Sequence, residues 1–383
     1  MKALWLASWY PSKNDLLTGD FFQRHAHAAS LHHEIHVLHI KRDDAISSTI
    51  DKSFNQQANL SETIILYKPF LHVVKGAGTL FSAITWFALM KKEIDQWMLQ
   101  FGKPDIIHVK AAWKCGLMAW WCKKKYGIPY FVSEQYTGYF DEAEGLVPTF
   151  NFVQHWLLKK IFQGADKVLP VSDYLGKALK KRYVVDYTVL DNVIDTSIFN
   201  INKSKTPNPV FTLLHVSLLN LQKNPDMLFQ ACCELIKINF KFQLQLVAPE
   251  TVANYYLLKY PQTKSCIRLL PETKQQSLAA IMQQADVLLF PSAFESFGLV
   301  AYESIACGTP VIVTDIEVFT NNLSDKKYVS FCKTNDAVSL AKEIVKLYED
   351  NMVYEKNGML QFIHHSFSEQ AIASKFQQLY KGY

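Results

Sequence analysis

A chain of 383 residues that is 49% hydrophobic and 13% aromatic is too apolar for disorder and too long for one core of ordinary size, so two domains are expected. Its net charge of +5 suits an anionic substrate or an acidic membrane surface and is too small to argue for nucleic acid. Seven cysteines, odd in number and without CxxC or other metal-type spacing, read as reduced, mostly buried thiols of a cytosolic protein.

Residues 2–7 read as a first buried strand. They are not read as part of a signal peptide, because the apolar run is short, ends in Tyr-Pro and lacks a small-residue cleavage site. A loop rich in Pro, Asn, Asp and Gly follows, ending at Gly19, with a helix expected from Asp20. Such a loop lies at the carboxyl edge of an open sheet, where ligands bind. Six histidines crowd the next stretch (His25, His27, His32, His33, His36, His39). They cross a helix-to-strand boundary, so their side chains diverge and read as structural or surface groups rather than a zinc site. Residues 41–65 are polar and read as irregular, with a strand around 63–67. Between Phe70 and Met98, aromatic residues (Phe70, Phe81, Trp86, Phe87, Trp97) interleave with Lys75, Lys91 and Lys92. This reads as a helix packing on the sheet, with a character that also fits an anionic membrane surface. No run reaches the roughly 20 apolar residues that span a bilayer.

Residues 104–110 form the next buried strand, followed by a helix to Lys125 and a strand at 129–133, the doubly wound β-α-β rhythm. Residues 165–182 read as a strand, Ser172 as helix cap, and a helix with a basic end. The polar, proline-containing stretch 203–209 is the best linker. Beyond it, strands are expected at 210–216, 240–250 and 267–270, with a helix at 275–285. The closing segment, SFSEQAIASKFQQLY, reads as an amphipathic helix.

The most informative stretch is 290–315, FPSAFESFGLVAYESIACGTPVIVTD. It reads as the end of a buried strand, a loop, a helix from about Gly298 to Cys307 stopped by Gly308 and Pro310, and a second strand. A helix N-terminus offers unpaired N–H groups and about half a positive charge, here from Phe297, Gly298, Leu299 and Val300, to an anion in front of it. Glu303 lies further into the helix, where a carboxylate accepts hydrogen bonds from a pair of ribose hydroxyls, as acidic residues do in dinucleotide folds. Glu295 sits in the loop, placed to touch what lies beyond the phosphates.

The stretch resembles the E-x7-E signature of glycosyltransferase family 4, retaining enzymes of the GT-B architecture. That resemblance implies an α/β protein of two Rossmann-like doubly wound domains facing a cleft, with a C-terminal helix crossing back to the first. The domains would be residues 1–200, joined by 366–383, on the acceptor side and 201–365 on the donor side. Further segments carry the likeness. HVSLLNLQKNPDMLFQA aligns Lys223 with the lysine that neutralises the donor diphosphate, while Ser217 stands at a family glycine and Leu218 at the family arginine. FVSEQYTGY keeps Glu134 but has Gln135 where a histidine is usual, and His108 stands at the family's strand-end histidine. Gly19 is the counterpart of a glycine near donor and acceptor. Asn192, Asp195 and Phe199 match the stretch that ends the first domain, where Val193 replaces a glycine.

The resemblance implies transfer of a hexose-type sugar from a nucleoside diphosphate donor to a hydroxyl of a glycan or lipid-linked acceptor, with retention at the anomeric carbon. Glu295 and Lys223 would be catalytic. Glu303, Phe297, Gly298, Leu299, Val300, Ser217 and Gly19 would bind the donor, and His108, Glu134 and Gln135 would face the acceptor. The acceptor proton would pass to a donor phosphate oxygen, and closure of the cleft would exclude water. No DxD occurs in the chain, so no cofactor and no obligatory metal are expected. The setting implied is bacterial surface polysaccharide synthesis, in the cytoplasm or peripheral on the inner face of the membrane. A nicotinamide dehydrogenase is disfavoured, since Gly76-Ala77-Gly78 lacks the third glycine and preceding strand of GxGxxG. A non-catalytic nucleotide-sugar or glycan-binding protein on the same fold stays open, because Leu218 and Gln135 depart from the pattern.

Overall fold

The computed structural model describes residues 1–68, 77–143, 150–201, 208–351 and 354–383. The chain divides into two compact units, Met1–Val193 with Glu369–Tyr383, and Ile194–Ser368. Most of the expected linker (203–207), together with Phe70, Lys75 and Gly76, lies outside the described residues.

The first unit comprises β1 (Lys2–Ala7), α1 (Asp20–Ser30), β2 (Glu34–Arg42), β3 (Ile50–Gln57), β4 (Leu60–Tyr67), α2 (Ala77–Phe101), β5 (Ile106–Lys110), α3 (Cys115–Tyr126), β6 (Tyr130–Glu134), α4 (Phe152–Gly164), β7 (Lys167–Pro170) and α5 (Asp173–Tyr183). Its seven strands run in the order β3-β4-β2-β1-β5-β6-β7, all parallel but for β3, which is antiparallel to β4. Helices on both faces bury the central strands on both sides, so β1 reads as a near-continuous apolar run and β5 is buried along its whole length.

Strand β3 corrects the reading of residues 41–65 as irregular. It pairs along its whole length with β4, yet its side chains stay mostly in water. A solvated edge strand has no buried face and hence no hydrophobic alternation to betray it; Lys52 and its polar neighbours instead protect the edge. In α2, Trp86, Met90, Ile94 and Trp97 are buried against the unit, whereas Phe81 and Ile84 face solvent.

The second unit comprises β8 (Phe211–Val216), α6 (Pro225–Lys237), β9 (Phe242–Val247), α7 (Glu250–Lys259), β10 (Ile267–Leu270), α8 (Gln275–Gln284), β11 (Val287–Phe290), α9 (Leu299–Ala306), β12 (Val311–Thr314), α10 (Glu317–Leu323), β13 (Val329–Cys332), α11 (Ala337–Glu349) and α12 (Lys356–Phe367). The sheet is wholly parallel, in the order β10-β9-β8-β11-β12-β13. Both units are therefore Rossmann-like α/β folds. In each, the strand order reverses at one point, between β1 and β5 in the first and between β8 and β11 in the second. Loops leaving the carboxyl ends of such a pair diverge and open a crevice.

The last helix, α13 (Glu369–Tyr380), belongs to the first unit and packs on α1. Phe376 and Tyr380 are buried in the core around Trp5 and Phe22, a burial worth roughly 1.5–3 kcal/mol for each large side chain. Trp5 Nε1–H donates to the Tyr380 hydroxyl at 3.0 Å, which lies 2.6 Å from His108 Nδ1, and His108 Nε2 lies 2.8 Å from Ser133 Oγ. The ring nitrogens of Trp5 and His108 and the hydroxyls of Tyr380 and Ser133 thus all have partners. Lys110 is fully buried beside it, its Nζ 3.6 Å from the centre of the Trp5 ring, and burial holds its pKa well below the usual lysine range.

Candidate functional site

At the switch point of the second unit, two loops carry the residues singled out by sequence. The first leaves β8. His215, inside that strand, donates from Nδ1–H to Leu289 O at 2.9 Å, and its Nε2 accepts the Ser217 hydroxyl at 2.8 Å. Ser217 Oγ in turn accepts the Leu219 N–H at 3.0 Å, which fixes the chain as it leaves the sheet. Burial lowers the His215 pKa to about 4, so the imidazole is neutral and this relay of donors is set. Leu218, at the family arginine position, is 60% exposed. Asn220 accepts the Lys223 N–H through its side chain at 3.2 Å. Asn224 then takes a left-handed φ of 51° before Pro225 opens α6, a conformation that asparagine tolerates better than other non-glycine residues.

The second loop leaves β11 and is tied down twice. Ala293 N–H donates to Gln222 O at 2.8 Å, and Thr314 Oγ–H donates to Ser292 O at 2.6 Å. The first of these bonds joins the two loops, and Lys223 forms an ion pair with Glu295. Their side chains are 19% and 5% exposed, and Lys223 Nζ also sits 4.6 Å from the centre of the Phe290 ring. A pair this sheltered is stronger than a surface pair, and it leaves a desolvated charge behind if one member is removed.

Helix α9 begins at Gly298, whose φ of 86° is left-handed and whose missing Cβ would lie 2.6 Å from the Phe319 ring. Only glycine fits there. No side chain caps this helix, so its first N–H groups, on Leu299 and Val300, carry no side-chain oxygen. Phe297 is buried and stacks on Tyr302 at 4.5 Å between ring centres. Glu303 is a buried carboxylate within α9. Lys223, Glu295 and the start of α9 thus meet at one sheet edge, with Ser217 at the root of the loop that carries Lys223.

The residues expected to face an acceptor fall differently. Glu134, at the end of β6, accepts from Ala112 N–H and Gln135 N–H at 2.9 Å, Tyr136 N–H at 3.0 Å and Tyr139 O–H at 3.2 Å. Burial raises its pKa and those four bonds oppose the rise. The carboxylate therefore braces two loops of its own unit. Gln135 and Asn192 exchange paired amide hydrogen bonds at 2.6 and 3.1 Å. His108 is wholly enclosed, with both ring nitrogens engaged as described and its pKa held well below the usual value by burial. It packs between β5 and α13 and presents no atom to a ligand, which corrects the expectation that it faces an acceptor. Gly19, with φ 79°, has its Cα so close to the backbone of Trp9 and Tyr10 that a Cβ would lie 2.5 Å away. It shapes the loop after β1. The clustered histidines bind apart from one another: His25 to Asp191 O, His36 to Ser61 and His39 to Ala7 O. Among the described residues no three His, Cys, Asp or Glu are gathered as a metal site.

A cavity of about 420 Å³ opens at the switch point of the first unit. Its lining includes Trp9, Trp86, Trp113, Lys114, Tyr136 and Phe150. The sequence reading had placed a ligand edge at the loop after β1 but missed Trp113 and Lys114, and it gave no role to His215. The Trp-Lys pair a few residues beyond a buried strand is the signal for the first. For the second it was a histidine inside an apolar run.

Two family models divide the chain. Residues 25–198 match Glycosyltransferase Family 4, and residues 197–361 match Glycosyl transferases group 1. Among curated proteins, D-inositol 3-phosphate glycosyltransferase 2 of Catenulispora acidiphila is 24% identical over 274 residues, 65% of this chain and 63% of that protein. N-acetyl-alpha-D-glucosaminyl L-malate synthase of Bacillus anthracis is 25% identical over 171 residues, 44% of each chain. The match thus spans less than two thirds of the first relative's length and less than half of the second's. Among solved structures, the sucrose-phosphate synthase of Thermosynechococcus elongatus superposes with a TM-score of 0.79 at 17% identity, over 100% of this chain and 98% of that one. Anabaena HepE in complex with UDP gives 0.72 at 15%, over 99% of both. At these identities the likeness is one of fold.

Proposed function

We propose that this chain, which belongs to the glycosyltransferase family 4 type, transfers a hexose-type sugar from a nucleoside diphosphate sugar to a hydroxyl of a glycan or lipid-linked acceptor, with retention at the anomeric carbon. The observation that carries the proposal is the meeting of Lys223, Glu295 and the uncapped start of α9 at the β8/β11 switch point. When the sugar leaves, negative charge builds on the diphosphate and positive charge on the sugar ring. Lys223 and the N–H groups of Leu299 and Val300 offset the first as fixed positive charge, which needs no reorganisation at the moment of reaction. Glu303 holds the ribose, and Glu295 holds sugar hydroxyls and orients the anomeric carbon.

Glu295 holds Lys223 in an ion pair. A donor diphosphate takes over the lysine, and the released carboxylate turns to the sugar. The pair thus keeps both groups in place before the donor arrives, which is the preorganisation that oriented catalysis requires. Lys223 acts as a point charge, whereas an arginine at position 218 would add a planar fork; its absence leaves more of the diphosphate to the helix start. HepE, which shares the fold, is solved with UDP, which makes UDP the first nucleotide to test. No divalent metal is needed in this scheme.

The setting proposed is surface polysaccharide synthesis, in the cytoplasm and peripheral on an anionic membrane face. Phe81 and Ile84 on α2 and Phe152 and Trp156 on α4 are exposed, with Lys160 Nζ 5.7 Å from the Trp156 ring, which supports such contact. No helix among the described residues is long and apolar enough to cross a membrane. A non-catalytic nucleotide-sugar-binding protein is the second reading, favoured by exposed Leu218 in place of the arginine. A screen of nucleoside diphosphate sugars, read by nucleoside diphosphate release against a panel of acceptors, separates the two. Release that depends on acceptor supports transfer; tight donor binding with no release under any acceptor supports the second reading.

A further inference from the structure

The cavity of the first unit has features that the reading above does not use. It lies where the loops after β1 and β5 part, the ligand edge of this sheet. The loop after β5 is held in a costly conformation: Ala111 and Lys114 both have a φ of 65°. Such backbone is strained and persists only where its surroundings over-determine it. They do so here. Ser8 Oγ lies 2.9 Å from both Ala111 O and Trp113 O, and Glu134 accepts the Ala112 N–H. The product of this bracing is that Trp113 and Lys114 are carried to the cavity wall.

The charges around the cavity are uneven. Its three cationic residues are Lys41, Arg42 and Lys114, and its one carboxylate is Glu134. Lys41 pairs with Asp15 and Arg42 with Asp44. Glu134 already accepts four hydrogen bonds. Among the described residues Lys114 forms no ion pair, and it stands beside Trp113, whose ring is 4.9 Å from that of Phe150. A flat apolar surface next to one uncompensated ammonium fits a ring with an acidic substituent: the C–H face of a sugar lies on the indole, and the anion meets the lysine.

We propose that this cavity binds the acceptor, and that the acceptor is an anionic sugar, its phosphate or carboxylate on Lys114 and its ring against Trp113. The proposal rests on the transferase reading for the word acceptor, but the binding it describes does not need the donor. Glu134 is then a positioning residue, because it holds the Ala112–Lys114 loop without touching the ligand.

The test is a titration of the full chain, without donor, followed by intrinsic tryptophan fluorescence. The probes are glucose 1-phosphate, glucuronate, neutral glucose and inorganic phosphate. The expected result is that at least one charged sugar binds about tenfold or more tighter than glucose and than inorganic phosphate. Lys114→Gln should remove that preference while leaving glucose unchanged, Lys114→Arg should retain it, and Trp113→Leu should weaken every sugar. A preference for the phosphate alone, or for both anions, identifies the group. Equal binding of charged and neutral sugars, binding of inorganic phosphate as tight as that of the sugar phosphate, or a preference that survives Lys114→Gln overturns the proposal. Failure of nucleoside diphosphate release, with charge-selective binding intact, counts against the transferase reading and not against this site.

Discussion

Lys223 and Glu295, separated by 72 residues in sequence, form a sheltered ion pair between the loops that follow β8 and β11. Each is the other's partner, and each is assigned a different part of the donor in the proposed reaction. The pair is therefore open to both a stability test and an activity test. Lys223→Met and Glu295→Gln should each cost about 1–3 kcal/mol in urea unfolding, and the double variant should cost less than their sum by about 1 kcal/mol or more. Turnover should fall about a hundredfold in either single variant. Additive stability losses would show that the pair is incidental.

Glu303 is buried within α9, beyond the donor phosphates in the proposed arrangement. Glu303→Ala should weaken nucleoside diphosphate binding about tenfold or more in calorimetry, since a charged hydrogen-bond acceptor to hydroxyls contributes roughly 1.5–3 kcal/mol. Unchanged affinity would remove Glu303 from the ribose.

Much of this was legible beforehand, and the reason is physical. Parallel strands buried on both faces announce themselves as apolar runs, as Val287–Phe290 does, and a glycine stop marks the end of α9. The E-x7-E loop placed Glu295 and Glu303 together because they are close in sequence. Contacts across long separations left no local trace. Nothing in FVSEQYTGY says that Glu134 braces Ala112, or that Gln135 pairs with Asn192. His108 looked like a site residue because it ends a strand, but its neighbours are Tyr380 and Phe376, more than 260 residues away. Strand β3 was hidden for the opposite reason, having no buried face.

Leu218 is exposed at the position where the family resemblance implies a diphosphate-binding arginine. Leu218→Arg should leave stability unchanged, as surface substitutions do, and tighten nucleoside diphosphate binding by about three- to tenfold. Calorimetry that finds no gain would mean that position 218 does not point at the donor.

Gly298→Ala introduces a methyl 2.6 Å from the Phe319 ring at a φ of 86°. Backbone strain and the displaced ring should together destabilise the second unit by about 2–4 kcal/mol, read as a lower urea midpoint with an unchanged slope. A loss below about 0.5 kcal/mol would show that the loop relaxes freely and that glycine serves another purpose there.

Five buried histidines resist protonation in the folded chain: His25, with a pKa lowered to about 3, His36, His39 and His215, each lowered to about 4, and His108, held well below the usual value. The first cause in every case is burial. In the unfolded chain they titrate near 6.5, so above that pH they add no pH dependence. As pH falls below 6.5, the unfolded state takes up protons that the native state refuses, and stability drops by up to about 1.4 kcal/mol per pH unit for each histidine. Between pH 6.5 and 5, most carboxylates remain charged and these histidines dominate. Urea unfolding across that window should show the decline, and His215→Gln should make it shallower by about one proton. A flat profile would mean that these imidazoles are not protected.

The return of α13 to the first unit sets an order of events during synthesis. Strand β1 emerges first, but the helix that covers Trp5 emerges only after the whole of Ile194–Ser368. At roughly 5–20 residues per second, the early unit waits on the order of ten seconds or more with an apolar face uncovered. During that interval the nascent chain is a natural client for a holding chaperone. The second unit, continuous in sequence, completes its sheet without any such delay.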